Sequence, residues 1–251
     1  MLTPIIDSCK FLLDNFPDAQ ICRDYLDSRL NKESQELFKF GYFPNVNNIV
    51  TLTSLIGEEI IKDNGFLFSK TIEDSQYPRI INFCYFEEYP LIIPFRNVYG
   101  NTIAIVARTF LSEEERKIKN IPKYKNSKFN KKDHLFGLFE NKSSILEQNC
   151  VYVVEGQFDV IKSVENGFNN IVALSNSYMS AHQLSLIMRY TKNIFLLLDN
   201  DEAGEKGRKS IISKFGNFAN IRNFYLPEQY KDIDEYFSKN SEFPSFIIKN
   251  E

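Results

Sequence analysis

The sequence predicts an α/β protein in two parts: a mixed α+β region over residues 1–148, then a mostly parallel sheet flanked by helices over residues 149–251. Three observations carry this. After Asn149, short apolar runs recur with stretches of helical length between them, the pattern of alternating strands and helices. The runs VYVV, IVAL and IFLLL are apolar throughout or nearly so, as strands covered on both faces must be. Before about residue 115 that alternation is missing, and helices mix with short strands instead.

Ile5–Phe16 carries apolar residues at helical spacing, with Asp7, Lys10 and Asp14 among them, so Met1–Phe16 reads as an amphipathic helix and not a signal peptide. Ile21–Ser28 reads as a second helix. Leu91–Phe95 and Thr102–Ala107 are apolar runs split by Asn97, Tyr99, Gly100 and Asn101, which predicts a β-hairpin turning near Gly100. Val151–Val154 is a short strand, and Phe158–Asn166 a helix closed by Gly167. Ile171–Leu174 is the next strand, and Ser180–Tyr190 a helix with Ser180 as its N-cap. Ile194–Leu198 leads into a helix through Ile211, and Ile221–Leu226 is the fourth strand of this region.

Composition removes several classes of function. No run approaches the roughly 18 consecutive apolar residues of a membrane span, so an intracellular protein with no membrane role is expected. Cys9, Cys22, Cys84 and Cys150 are widely separated and the chain has two histidines, His134 and His182, so the paired ligands of a zinc ribbon are missing. The cysteines read as buried small hydrophobes in a reducing compartment. The net charge of −3 does not mark a nucleic-acid binder, yet Arg116–Lys132 carries eight Lys/Arg and no acid. That stretch is either a solvated basic loop or a phosphate-neutralising segment with Tyr124 and Phe129 available to stack on bases.

The acids are placed with more regularity. In a parallel sheet, ligands bind beyond the carboxyl ends of the strands. Glu155 directly follows the Val151–Val154 strand, with Asp159 in the first turn of the next helix. Asp199 and Asp201 follow the Ile194–Leu198 strand, and Asp232 and Asp234 come soon after the fourth. Carboxylates crowded at one edge repel unless a cation lies among them. An all-oxygen set suits Mg²⁺ or Mn²⁺, ions that serve phosphoryl transfer. Gly156 and Gly204 allow tight turns beside these acids.

VVEGQFDVIKSVENG (153–167), IVAL (171–174) and LLLDNDEAGEKG (196–207) resemble the Toprim motif, which is shared by bacterial primases, topoisomerases of types IA and II, some nucleases and recombination proteins. Segments outside it narrow the choice. RDYLDSRLNKESQELFKFGYFP (23–44) is similar to the opening of the RNA-polymerase domain of DnaG-type primases. IIPFRNVYGNTIAIVARTF (92–110), KYKNS (123–127), HLFGLFE (134–140) and KDIDEYF (231–237) resemble further segments of that family, in its order, with Ile233 in place of a proline.

The resemblance implies a primase catalytic core with a Toprim fold, joining ribonucleoside triphosphates into RNA primers on single-stranded DNA. It implies Glu155, Asp199 and Asp201 as catalytic metal ligands for Mg²⁺ or Mn²⁺, with Asp159, Asp232 and Asp234 completing the acidic surface. Arg96, Arg108, Lys123, Tyr124 and Asn126 are then expected to bind nucleotide or DNA. The family's zinc ribbon and helicase-binding module are not in the sequence, so it reads as a minimal form or a fragment. Initiation-site choice is then expected to be weak or supplied by another chain, and the expected protein partner is a replicative helicase or a separate template-reading protein. The expected setting is the cytoplasm of a bacterial cell or phage-infected host. Glu87, Glu88, Tyr89 and Pro90 stand where the family tends to have arginines, and Ser175 and Asn176 where Toprim proteins generally have a glycine. A Toprim nuclease and a non-catalytic replisome adaptor are the competing readings.

Overall fold

The computed structural model describes residues 2–72 and 79–248; Met1 of the expected first helix lies outside them. Residue contacts divide the chain into two compact units, Met1–Phe95 with Thr102–Phe129, and Arg96–Asn101 with Asn130–Glu251.

The first unit opens with α1 (Thr3–Asn15), whose Ile5, Ile6, Cys9, Leu12 and Leu13 form one buried stripe at helical spacing. Pro4 near its start lacks an N–H that would have no partner there in any case. Short helices α2 (Gln20–Asp27) and α3 (Lys32–Phe38) come next, then β1 (Gly41–Tyr42), α4 (Ile49–Ile56) and α5 (Glu58–Asp63). β2 (Leu67–Ile72) and β3 (Arg79–Cys84) form an antiparallel ribbon. β4 (Leu91–Arg96) and β5 (Thr102–Arg108) match the expected hairpin, and Gly100 in its turn has φ +89°. A Cβ there would also meet the Phe139 ring at 2.7 Å, so two independent constraints call for glycine. α6 (Glu113–Lys119) starts on a capping box between Ser112 and Glu115. β6 (Tyr124–Asn126) completes a sheet of order β1-β4-β5-β6. Phe43, Phe66 and Phe86 pack their rings at 5.2–6.1 Å in this unit's core.

The basic stretch is therefore neither an open loop nor wholly available for phosphate. Lys117 pairs with Glu113, Lys119 with Glu88, and Lys125 donates to the Tyr85 carbonyl at 2.5 Å while lying over the Tyr85 ring. Phe129 is half-buried against Phe95, ring centroids 5.0 Å apart.

The second unit runs α7 (Leu138–Gln148), β7 (Val151–Val154), α8 (Gln157–Glu165), β8 (Ile171–Ala173), α9 (Ala181–Ile187), β9 (Asn193–Leu196), α10 (Glu202–Phe215), β10 (Asn220–Tyr225), α11 (Ile233–Lys239) and β11 (Ile247–Ile248). The sheet order is β11-β10-β9-β7-β8, with β7, β8, β9 and β10 parallel and β11 antiparallel. The division at 129/130 lies upstream of residue 148, the expected boundary, for a packing reason. Phe136 bridges to Ala173 of β8, and Leu138 and Ile145 of α7 join the core of this unit. One sheet face supplies Val151, Val153, Val172, Ile194 and Leu196 to that core. On the other face, Tyr152, Phe195 and Phe224 pack side by side under Phe246. Both faces are covered, which is why the strands read as apolar runs. Among the described residues, no helix is long and apolar enough to cross a membrane.

Candidate active site

All six acids named from the sequence lie in the second unit, at the carboxyl edge of its parallel strands. Glu155 directly follows β7; its Oε2 accepts from Ser177 Oγ at 2.6 Å and its Oε1 from the Asp199 N–H at 3.4 Å. Asp199 and Asp201 lie on the turn between β9 and α10, where Asp201 is the N-cap and accepts from the Gly204 N–H at 2.9 Å. Asp232 caps α11 in the same way, accepting from the Glu235 N–H at 2.8 Å. Asp159 is buried in α8; its carboxylate accepts from the Gly156 N–H at 2.8 Å and the Asp234 N–H at 3.4 Å. That second bond ties α8 to the turn that carries Asp232 and Asp234.

The turn after β9 is held by close contacts. Gly204 sits so near Asp199 that a Cβ would lie 2.1 Å from the Asp199 carbonyl oxygen, so only glycine fits there. Arg208 of α10 is fully buried, and its guanidinium donates to the Leu198 and Asp199 carbonyls and stacks on Tyr225, 4.3 Å from the ring centre. Asn200 donates to the Leu226 and Tyr230 carbonyls, which locks this turn to the one after β10. Ser175, one of the two residues expected from the Toprim resemblance to stand near a glycine position, takes the left-handed conformation at φ +62°. The position thus keeps the glycine-like backbone, and the Ser175 hydroxyl accepts from Gln157 at 2.9 Å.

Electrostatics show that the acids crowd one another. Burial pushes the Asp159 carboxyl well above the usual carboxylate range, and the charges of Asp232, Asp199 and Asp234 push it further. Burial also raises Asp199, with Glu155 and Asp201 adding to the rise and the hydrogen bond from Lys231 opposing it. Asp232 is raised by burial first, then by Asp199 and Asp234. Lys231 Nζ lies 3.0 Å from Asp199 Oδ2 and 3.7 Å from Asp201 Oδ2, and its own pKa is raised by the hydrogen bond to Asp199. Among the described residues, no three acidic, histidine or cysteine side chains are grouped so that they could hold a metal ion together. The donors are nonetheless all oxygen, the set that Mg²⁺ and Mn²⁺ take, and Asp199 and Asp201 already accept a positive charge from Lys231. By the chemistry of their donors, the residues fit a divalent ion.

The crowding has a measurable consequence. Carboxyls whose folded pKa is raised hold protons that the unfolded chain has released, so they stabilise the fold below the ordinary carboxylate range and lose that contribution as pH rises through their folded values. The melting midpoint of metal-free protein is therefore expected to fall between about pH 5 and about pH 8. Asp159→Asn is expected to be more stable than the parent near the upper end, with a flatter profile, as read by thermal melts in chelator.

The basic and aromatic candidates fall in both units. In the first, Arg108 pairs across the sheet with Tyr124, and Val106 with Asn126, so Arg108, Tyr124 and Asn126 share one face while Lys125 points to the other. The Arg108 guanidinium lies over the Tyr25 ring at 4.0 Å and near Phe110 at 5.2 Å. Lys123 is exposed beside them, 5.7 Å from the Tyr124 ring centre. Arg96 belongs to the second unit, where its Nη2 lies 2.7 Å from Oε1 of the buried Glu140.

Sequence reasoning missed Lys231, Ser177, Arg208 and Glu140. The only signals were Lys231 directly before the last acidic pair and an arginine on the apolar face of α10.

Comparison with known proteins places these features in context. The family described as DNA primase catalytic core, N-terminal domain, matches residues 12–142, and a Toprim-like family matches residues 152–237. A DNA primase from Aquifex aeolicus is 27% identical over 239 residues, covering 92% of this chain and 45% of the relative. One from Thermotoga maritima is 28% identical over 250 residues, covering 94% of this chain and 40% of the relative. The chain thus spans less than half the length of these curated relatives. Among solved structures, a DnaG primase catalytic domain bound to single-stranded DNA matches with a TM-score of 0.75 at 25% identity, over 96% of this chain and 76% of that one. A DNA primase domain from Pseudomonas aeruginosa matches with a TM-score of 0.73 at 26% identity, over 93% and 72%.

Proposed function

Because the chain belongs to the family of DNA primase catalytic cores, we propose that it joins ribonucleoside triphosphates into short RNA primers on a single-stranded DNA template. The observation that carries this reading is the convergence of Glu155, Asp159, Asp199, Asp201, Asp232 and Asp234 on one edge of a parallel sheet, close enough that neighbouring charges add to the raised proton affinity of Asp159, Asp199 and Asp232. Glu155, Asp199 and Asp201 would hold Mg²⁺ or Mn²⁺, with the other three acids as the surrounding acidic surface. When bound, such an ion supplies Lewis-acid stabilisation to the phosphoryl transfer.

The rest of the work falls to the protein's own groups. Ser177 and the Asp199 N–H orient the Glu155 carboxylate through its two oxygens. Asn200 and Arg208 fix the turn carrying Asp199 and Asp201, so the acids are positioned before substrate arrives. Arg108 offers a planar fork to phosphate and Lys123 a point charge. Tyr124 stacks on a base and Asn126 hydrogen-bonds a nucleotide, both from the face that bears Arg108. The protein works in the cytoplasm beside a replicative helicase or a separate template-reading protein.

The test is incubation with mixed-sequence single-stranded DNA and labelled ribonucleotides, with and without Mg²⁺ or Mn²⁺. Labelled RNA that requires the metal is the expected product. A shortened template without RNA would overturn the reading in favour of a metal-dependent nuclease.

A further inference from the structure

We propose that Lys231 is a built-in counter-cation of the acidic site, its ammonium occupying a cation position between Asp199 and Asp201 that a divalent ion takes over by displacing it. The inference rests on the metal reading above and deepens it: without a metal ion one positive charge already sits among the acids, and metal binding is an exchange of one cation for another.

Three features support the exchange. The ammonium touches carboxylates of both residues, 3.0 Å from Asp199 and 3.7 Å from Asp201. These are two of the three acids assigned to the ion, so Lys231 and a divalent cation compete for the same oxygens. Next, the main chain of Lys231 is pinned while its side chain is not. Its carbonyl accepts from the Asn200 N–H at 2.7 Å, and its N–H donates to Glu235 Oε2 at 2.9 Å. The side chain is 57% exposed, on a flexible four-carbon stem with an open route to solvent. The ammonium can therefore leave without moving the turns that carry Asp199, Asp201 and Asp232. Finally, the crowded carboxylates need a positive charge among them whenever no ion is bound. Arg208 gives its hydrogen bonds to the backbone carbonyls of Leu198 and Asp199 and stacks on Tyr225, whereas Lys231 meets the carboxylates themselves.

The experiment measures Mn²⁺ binding by titration calorimetry, with thermal melts in chelator and in Mn²⁺, on the full chain and on Lys231→Met and Lys231→Arg. Removing the competitor is expected to tighten Mn²⁺ binding in Lys231→Met by about threefold or more, the scale of an exposed ion pair. Its melting midpoint in chelator should drop below the parent's, and its rise on adding Mn²⁺ should exceed the parent's. Lys231→Arg keeps the charge and should stay close to the parent in each measurement. Equal affinities and equal melts for Lys231→Met and the parent would overturn the role of Lys231 and leave the metal site standing. Absence of Mn²⁺ binding by every variant and by the parent would overturn the metal reading, and this inference with it.

Discussion

Asp199→Asn is expected to reduce metal-dependent primer synthesis by about a thousandfold or more, the rate equivalent of the several kcal/mol that a bound ion contributes to phosphoryl transfer, while the protein stays folded. The substitution keeps the size of the side chain and one acceptor oxygen, and it leaves the backbone of the turn untouched. The Asp199 carbonyl still accepts from Arg208, and its N–H still donates to Glu155. The change removes one negative charge in a place where burial, Glu155 and Asp201 already disfavour it. The melting midpoint in chelator should therefore equal or exceed the parent's, even though the Lys231 ion pair is lost. Activity and stability should thus move in opposite directions, which separates a chemical role from a structural one. If primer synthesis persisted in Asp199→Asn, the acidic edge would not be the catalytic centre.

The acidic edge was legible in the sequence because a parallel sheet converts chain order into spatial order. All its strands run the same way, so the residues just past each strand arrive at one edge. Glu155, Asp199 and Asp232 could be assigned to that edge once their strands had been recognised. The strands β7, β8 and β9 were recognisable because both sheet faces are covered and their runs are apolar almost throughout. In the first unit, α1, α2 and the β4–β5 hairpin carried such a signal and the other elements did not. Its helices α3, α4 and α5 have six to eight residues, too short for a helical period to declare itself. β3 lies mostly exposed, and β6 is the polar triplet Tyr124–Asn126, made a strand by its pairing with β5 and not by its composition. Within the site, Lys231, Ser177 and Glu140 escaped for a related reason. Each matters through partners distant in sequence, and neither composition nor periodicity records such pairings. Lys125 shows the converse: it lies inside the most basic stretch of the chain, yet its ammonium is spent on Tyr85.

Arg96 brings that difference to a quantitative test. From its motif it is expected to neutralise phosphate; in the fold its guanidinium pairs with Glu140, the two side chains being 12% and 5% exposed. Removing a phosphate-binding arginine costs affinity, whereas removing a buried structural arginine costs stability. Arg96→Leu leaves the Glu140 carboxylate buried without this partner, and breaking such a pair from one side costs about 3–5 kcal/mol. Burial already raises the Glu140 carboxyl, with Arg96 the first influence opposing the rise. In Arg96→Leu that opposition is gone, so Glu140 protonates more readily and is carried as a neutral acid as the medium becomes more acidic. The folded pKa then lies further above the unfolded value, so the loss of stability is largest at high pH and shrinks as pH falls through the new folded value. Chemical denaturation of the parent, Arg96→Leu and the double variant Arg96→Leu with Glu140→Gln should show the large loss at about pH 8, a smaller one near pH 5, and substantial recovery in the double variant at both. If Arg96 instead serves only phosphate, Arg96→Leu will unfold like the parent at every pH and lose affinity for DNA or nucleotide alone.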